Sequence, residues 1–224
     1  MQLRYRYLLI FFLLFALDPS LHAQLFQGAV MGGMNLSQVD GDEVYGYKRV
    51  GGHLGLGVIL PIKKWDITLE KVFNQKGAYQ REQYQDSLYG TLLNGKYDLR
   101  LNYVEIPLLA HFTDRERYTV GAGFSYGRLV SFEEIEHNDA VPPYSDTVSF
   151  NKNDFCVLAD LQVRVWKRLK FNIRYSYSMV PIRERVFIDP YSIKQPNERK
   201  QYNNVLTFRL VYVFNEQKKV TIDQ

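Results

Sequence analysis

Apolar and polar residues alternate with a period of two along most of this chain, in eight separate stretches. Such alternation marks β-strands with one apolar face. The first stretch, Leu25 to Ser37, sets Phe26, Val30, Met34 and Leu36 against Gln27, Asn35 and Ser37. From Val50 to Leu60 the even positions are apolar, and the odd ones include Gly51, His53, Gly55 and Gly57. A third stretch begins at Trp65, where Trp65, Ile67, Leu69 and Phe73 oppose Asp66, Thr68, Glu70 and Asn74. The fourth is "LNYVEIPLLAHF", residues 101–112, and the fifth runs from Tyr118 to Val130. In the sixth, Phe155 to Val165 on one parity oppose Cys156, Asp160, Gln162 and Arg164; in the seventh, Leu169 to Met179 oppose Lys170, Asn172, Arg174 and Ser176. The eighth, Leu206 to Phe214, opposes Thr207 and Arg209, although Val205, Val211 and Val213 blur that second face. Each is about 10 to 13 residues long, the length that crosses a bilayer at a tilt, whereas strands of soluble sheets are usually nearer 5 or 6.

The connections alternate as well. "PIKK", "TDRER" and Lys167-Arg168 are short, while those at about 38–49, 78–97, 131–153 and 181–202 are long. Short turns on one side and long loops on the other are the plan of an outer-membrane barrel with periplasmic turns. The expected fold is all-β: an eight-stranded antiparallel up-and-down transmembrane β-barrel.

The chain's start supports export. Arg4 and Arg6 precede an apolar core from Tyr7 to Leu17, which Asp18-Pro19 ends before the small-residue site at Ala23. That is the grammar of a secretory signal peptide. The expected organisation is a signal at 1–23, a barrel domain at 24–214 and a short periplasmic tail at 215–224. Removing the signal lowers the formal charge from +4 to +3, too mild to argue for nucleic acid. With Cys156 alone, no intramolecular disulfide can form. No mature segment is apolar for long enough to make a spanning helix.

Alternation alone does not say which face meets lipid, since a soluble periplasmic lipocalin-like carrier would alternate too. Residue size favours the apolar face outward. The opposite face carries glycine and serine, which suit the narrow interior of an eight-stranded barrel, and Trp65, Tyr118, Tyr126 and Tyr212 sit where aromatic girdles belong. The interior then receives Asp66, Glu70, Glu105 and Asp160 together with Arg164, Lys170, Arg174 and Arg209. Buried charge is costly unless paired, so these eight are expected to interlock as a network that plugs the lumen. Glu105 and Pro107 within one strand suggest a β-bulge at Val104-Glu105, with Leu99, Leu101 and Tyr103 facing lipid before it and Arg100 and Asn102 facing inward.

Several stretches resemble the PorT-like outer-membrane β-barrel family. They are "GAVMGGMNLSQVDGD", "GYKRVGGHLGLGV", "ITLEKVFNQKGAY", "LNYVEIPLL" and "VGAGFSYGRL". The resemblance covers nearly all of the mature chain. It implies an eight-stranded barrel in the outer membrane of a Gram-negative bacterium, in a family whose founding member is linked to a protein secretion system. The aromatic-ended "LVYVF" resembles the signal read by the barrel-insertion machinery.

Catalytic and metal-binding patterns are weak. His53 lies among glycines, His111 near a strand end and His137 in an acidic loop, with no Ser-His-acid set among them. Asp40, Asp42 and Glu43 around Gly41 lack the full calcium-loop spacing, and Gly121, Gly123 and Gly127 precede no helix. The expectation is therefore no catalytic residue, no metal and no cofactor. Expected partners are outer-membrane lipid, the insertion machinery during biogenesis and an envelope or secretion-system protein, with no nucleic acid. The loops at 131–153 and 181–202 are the expected binding surface. The alternative readings are an outer-membrane lipid-modifying enzyme and the soluble carrier.

Overall fold

The computed structural model describes residues 26–42, 44–84, 92–114, 117–136, 139–140, 150–187 and 197–216. The expected signal peptide, most of the tail, His137 and Glu43 lie outside the described residues.

Eight long strands close the barrel: β1 (Gln27–Asp40), β2 (Arg49–Ile62), β3 (Trp65–Gln80), β6 (Tyr97–Asp114), β7 (Tyr118–Glu136), β9 (Asn153–Trp166), β10 (Leu169–Ser178) and β12 (Asn197–Phe214). Shorter pieces are β4 (Gln83–Tyr84), β5 (Leu92–Asn94), β8 (Asp139–Ala140) and β11 (Arg183–Phe187). The ring runs β1-β2-β3-β6-β7-β9-β10-β12 and closes where β12 pairs antiparallel with β1, from Gly28↔Phe214 to Asp40↔Tyr202. Closure leaves the ring no free edge, the condition for a sheet to stand in hydrocarbon. Two of the short turns are only Lys63-Lys64 and Lys167-Arg168, where Lys63 (φ 56°) and Lys167 (φ 37°) take the left-handed backbone that tight hairpins require.

The outer wall is apolar: Leu54, Leu56, Phe124 and Val165 are each more than 60 % exposed. An outward surface this apolar is stable only against lipid. Aromatic pairs flank the belt, with Trp65–Phe112 and Tyr212–Phe214 at the short-turn end and Tyr126–Phe155 toward the other.

Two expectations need correction. There is no bulge at Val104-Glu105. Odd positions of β6 face inward throughout, so Leu99, Leu101 and Tyr103 are completely buried, while Arg100 and Asn102 face outward. The inward side of this end is an apolar cluster of Leu99, Leu101, Tyr103, Val39, Ala78, Phe150 and Ile182. The change of hydrophobic phase in "LRLNYVEIP" therefore marks the height at which the wall leaves lipid. Above it the outer face meets water, and the interior becomes an ordinary soluble core. The bulge lies on the neighbouring strand: the β6–β7 register shifts between Asn102 and Tyr103, and β7 turns both Val130 and Ser131 outward. Pro107 is accommodated without any shift. The β3–β6 ladder skips two positions between Leu69↔Leu108 and Val72↔Glu105 and resumes in the same register, as expected where a donor is missing.

The second correction concerns loop length. Strand structure continues into the regions expected as loops, to Gln80 on β3, Glu136 on β7 and from Asn197 on β12. There β11 adds to the first residues of β12, from Arg183↔Gln201 to Phe187↔Asn197, and raises a hairpin above the ring.

Candidate functional site: the filled lumen

Inward parity brings the expected charged residues to three different heights. In the centre, Glu70 of β3 accepts two hydrogen bonds from Arg174 of β10, at 2.8 and 3.0 Å, and two from Arg209 of β12, both at 3.0 Å. Arg174 also donates to Asp160 at 2.6 and 2.9 Å, and Arg209 lies 3.5 Å from the same carboxylate. β3 and β10 stand opposite each other in the ring, so the Glu70–Arg174 pair bridges the full lumen. Bidentate arginine–carboxylate pairs are the strongest of these contacts and also the most demanding of geometry. Asn172 accepts from Arg209 Nε at 2.6 Å and donates to Asp160 at 3.3 Å, closing the ring of bonds.

Glu105 sits apart from this centre, toward the long-loop side. It pairs with Lys76 at 2.6 Å, and Lys76 also reaches Asp154 at 3.2 Å. Asn74 links the two levels by donating to Glu105 at 3.0 Å and contacting His53 at 3.0 Å, which in turn lies 3.1 Å from Arg209. Lys76 and Asp154 escaped the sequence analysis. Both continue the inward parity of their strands, Lys76 beyond Asn74 on β3 and Asp154 before Cys156 on β9. The remaining expected residues line the periplasmic mouth. Arg164 holds Glu216 at 2.7 and 2.8 Å, Lys170 reaches Glu216 at 3.3 Å, and Asp66 accepts from Thr113 at 3.4 Å. Glu216 belongs to the expected tail, where no alternation could point to it.

A further level lies above the apolar cluster. Arg183 of β11 donates to Glu134 at 2.8 and 3.0 Å and to Gln201 at 2.9 Å, over the Phe150 ring at 4.3 Å. Neither Arg183 nor Glu134 was an expected site residue, because both fall where the parity is reset by the bulge or by the added hairpin. The lumen is also not uniformly polar. Val205 faces the upper lumen, while Val211 and Val213 pack with Ala29, Met31, Ile59 and Val72 inside the periplasmic half.

One constellation has the composition of a catalytic relay. Thr68 Oγ1 lies 3.1 Å from His111 Nδ1, and Asp160 lies 3.2 Å from His111 Nε2. A nucleophilic hydroxyl needs substrate access and a carboxylate free to stabilise the imidazolium. Thr68 is 5 % exposed and borders a cavity of about 20 Å³, room for about one water, and Asp160 is engaged by Arg174. His53 contacts Asn74 at 3.0 Å and Arg209 at 3.1 Å, as a member of the polar network. Cys156 is buried beside Leu109 and Leu158. Among the described residues no three His, Cys, Asp or Glu side chains converge on a possible metal position. Asp42 instead caps its own turn, accepting the Val44 amide at 2.8 Å.

Residues 22–183 match the sequence model of a family described as "Outer membrane protein beta-barrel domain". No curated protein matches the chain. Among solved structures, it is similar to Ail, the attachment invasion locus protein of Yersinia pestis, at 12 % identity over 84 % of this chain and 98 % of that one, with a TM-score of 0.47. It is also similar to a major outer membrane protein from Thermus thermophilus, at 14 % identity over 84 % and 99 %, TM-score 0.46. The outer membrane protease OmpT of Escherichia coli aligns at 11 % identity over 84 % and 96 %, TM-score 0.36.

Proposed function

The chain belongs to the outer membrane protein β-barrel family and resides in the outer membrane of a Gram-negative bacterium, and from that premise we propose that it works without catalysis, as a plugged barrel whose active surface is its extracellular rim. The observation that carries this reading is the lumen, where four charged side chains of the central level satisfy one another across the full width of the ring. Charges committed in this way hold a shape; they are not available to move a proton or to pass an ion. The rim offers what the lumen does not: strands that rise beyond the lipid belt, a raised β11–β12 hairpin, and long connections between them. Rigid scaffolds commonly present binding residues on such loops.

The PorT-like resemblance adds a finer proposal, that the partner at the rim or the periplasmic mouth belongs to a protein secretion system. The test is capture from native membranes by the tagged barrel and by a variant with connections 141–149 and 188–196 shortened. A partner held by the first and lost by the second supports the rim as the working surface. A partner held equally by both contradicts it. Lipid A extracted from a deletion strain addresses catalysis: an unchanged acylation and phosphate pattern agrees with a non-catalytic barrel, and a changed one opposes it.

A further inference from the structure

Independently of any partner at the rim, we propose that the outer wall of β7 and β9 carries a binding site for a phosphate of lipid A in the outer leaflet, formed by Arg128 and Asn153 above the Tyr126–Phe155 aromatic pair. Arg128 and Asn153 are cross-strand partners, both exposed on the lipid-side wall. Arg128 Nη1 donates to Asn153 Oδ1 at 2.7 Å, and the Tyr126 hydroxyl donates to the same oxygen at 3.0 Å. With its oxygen doubly engaged, Asn153 keeps its amide N–H groups, and Arg128 its remaining guanidinium N–H groups, without a hydrogen-bond acceptor among the described residues. The guanidinium is a planar fork of donors of the kind that matches phosphate oxygens, and the neighbouring amide can add a further donor.

Position makes the ligand a lipid phosphate. Directly below, Tyr126 packs against Phe155 with ring centroids 5.2 Å apart, as an interfacial girdle does. Below Tyr126 on the same face of β7 lies Phe124, 65 % exposed to the hydrocarbon. Just above, the β7 bulge and the outward amides of Gln75 and Asn102, with the Ser131 hydroxyl, begin the polar wall. Arg128 thus stands one step above the aromatic level, where the headgroup phosphates of the outer leaflet lie. Arg100, two outward positions higher, is already balanced by Asp98 at 3.4 Å and Glu133 at 3.7 Å, whereas among the described residues Arg128 has no acidic partner.

The test uses the full mature barrel refolded in zwitterionic detergent with chelator present, titrated with diphosphoryl lipid A, with lipid A stripped of both phosphates, and with phosphatidylglycerol. The proposal predicts binding of the diphosphoryl form and its loss on dephosphorylation. Arg128→Gln should weaken binding roughly tenfold or more, since a charge-assisted hydrogen bond is worth about 1.5–3 kcal/mol, Asn153→Ala should weaken it less, and Arg128→Lys should restore part. Arg100→Gln should leave it unchanged. Equal binding by Arg128→Gln and the unaltered barrel, equal binding of the dephosphorylated lipid, or equal binding of phosphatidylglycerol would each overturn the proposal, as would an Arg100→Gln loss as large as that of Arg128→Gln.

Discussion

Replacing Glu70 with glutamine changes almost no volume, so it isolates the charge at the centre of the lumen. Glu70 accepts four hydrogen bonds of 2.8 to 3.0 Å from two arginines and is 3 % exposed. Taken singly, hydrogen bonds to charged groups are worth about 1.5–3 kcal/mol. They are not additive here, because Arg174 and Arg209 also share Asp160. The better guide is the cost of removing one partner from a buried ion pair, about 3–5 kcal/mol. Two guanidinium groups would then face a single carboxylate. Taking a urea m-value of about 2 kcal/mol per M, the unfolding midpoint of the refolded barrel in detergent micelles should fall by roughly 2 M. Glu133→Gln is the matched control. Its carboxylate is 73 % exposed and 3.7 Å from Arg100, and pairs of that kind are worth about 0–1 kcal/mol. A Glu70→Gln midpoint as close to the parent as that of Glu133→Gln would refute the view that the lumen is held by interlocked charge.

Other perturbations probe separate parts of the structure. Lys76→Met leaves Glu105 and Asp154 buried without their cation, and should destabilise the barrel by about 3 kcal/mol or more in the same urea titration; an unchanged midpoint would mean that Lys76 does not hold this level together. Lys71 is the opposite case, a charged side chain on the outer wall between Leu69 and Phe73. A lysine near the bilayer midplane costs about 2–4 kcal/mol, so Lys71→Leu should raise stability in phospholipid vesicles, and a lowered stability would show that Lys71 has a partner in the membrane. Asp42, outside the spanning segments, has its pKa raised to about 7, first by burial and against the opposing hydrogen bond from Val44. Its folded-state pKa exceeds the unfolded value, so its turn is most stable below about pH 4 and loses stability as pH rises to about 7. Amide-exchange protection at Val44 should therefore fall over that window relative to Asp42→Asn, and parallel profiles would count against a buried carboxyl.

The parts of the fold that could be read from the sequence are those where lipid enforces a strict rule. On β2 and β3 every outward position from Leu54 to Val58 and from Trp65 to Leu69 is apolar, so strand existence, face and register direction all followed from period two. Above the lipid that rule lapses. Leu99, Leu101 and Tyr103 were assigned to lipid because they are apolar, yet they fill the interior of a wall that has already entered water. Polar "NERKQYNN" at the start of β12 gave no strand signal for the same reason, since neither face there meets hydrocarbon. Within the lumen, chemistry and parity placed Glu70, Asp160, Arg174 and Arg209 on the inward face. They could not assign heights, and so Glu105, Arg164, Lys170 and Asp66 turned out to belong to other levels. Lys76 and Asp154 obey the same parity, two residues after Asn74 and two before Cys156. Arg183 and Glu134 do not, because a bulge and an added hairpin reset the count.

The most direct test of a plugged lumen is current through single barrels in a planar bilayer. Purified protein inserted into the membrane should give no sustained conductance steps over the range of applied voltage, since Glu70, Arg174, Arg209 and Asp160 cross-link the interior from β3 to β10. Stable, long-lived open channels from the unaltered protein would contradict the account.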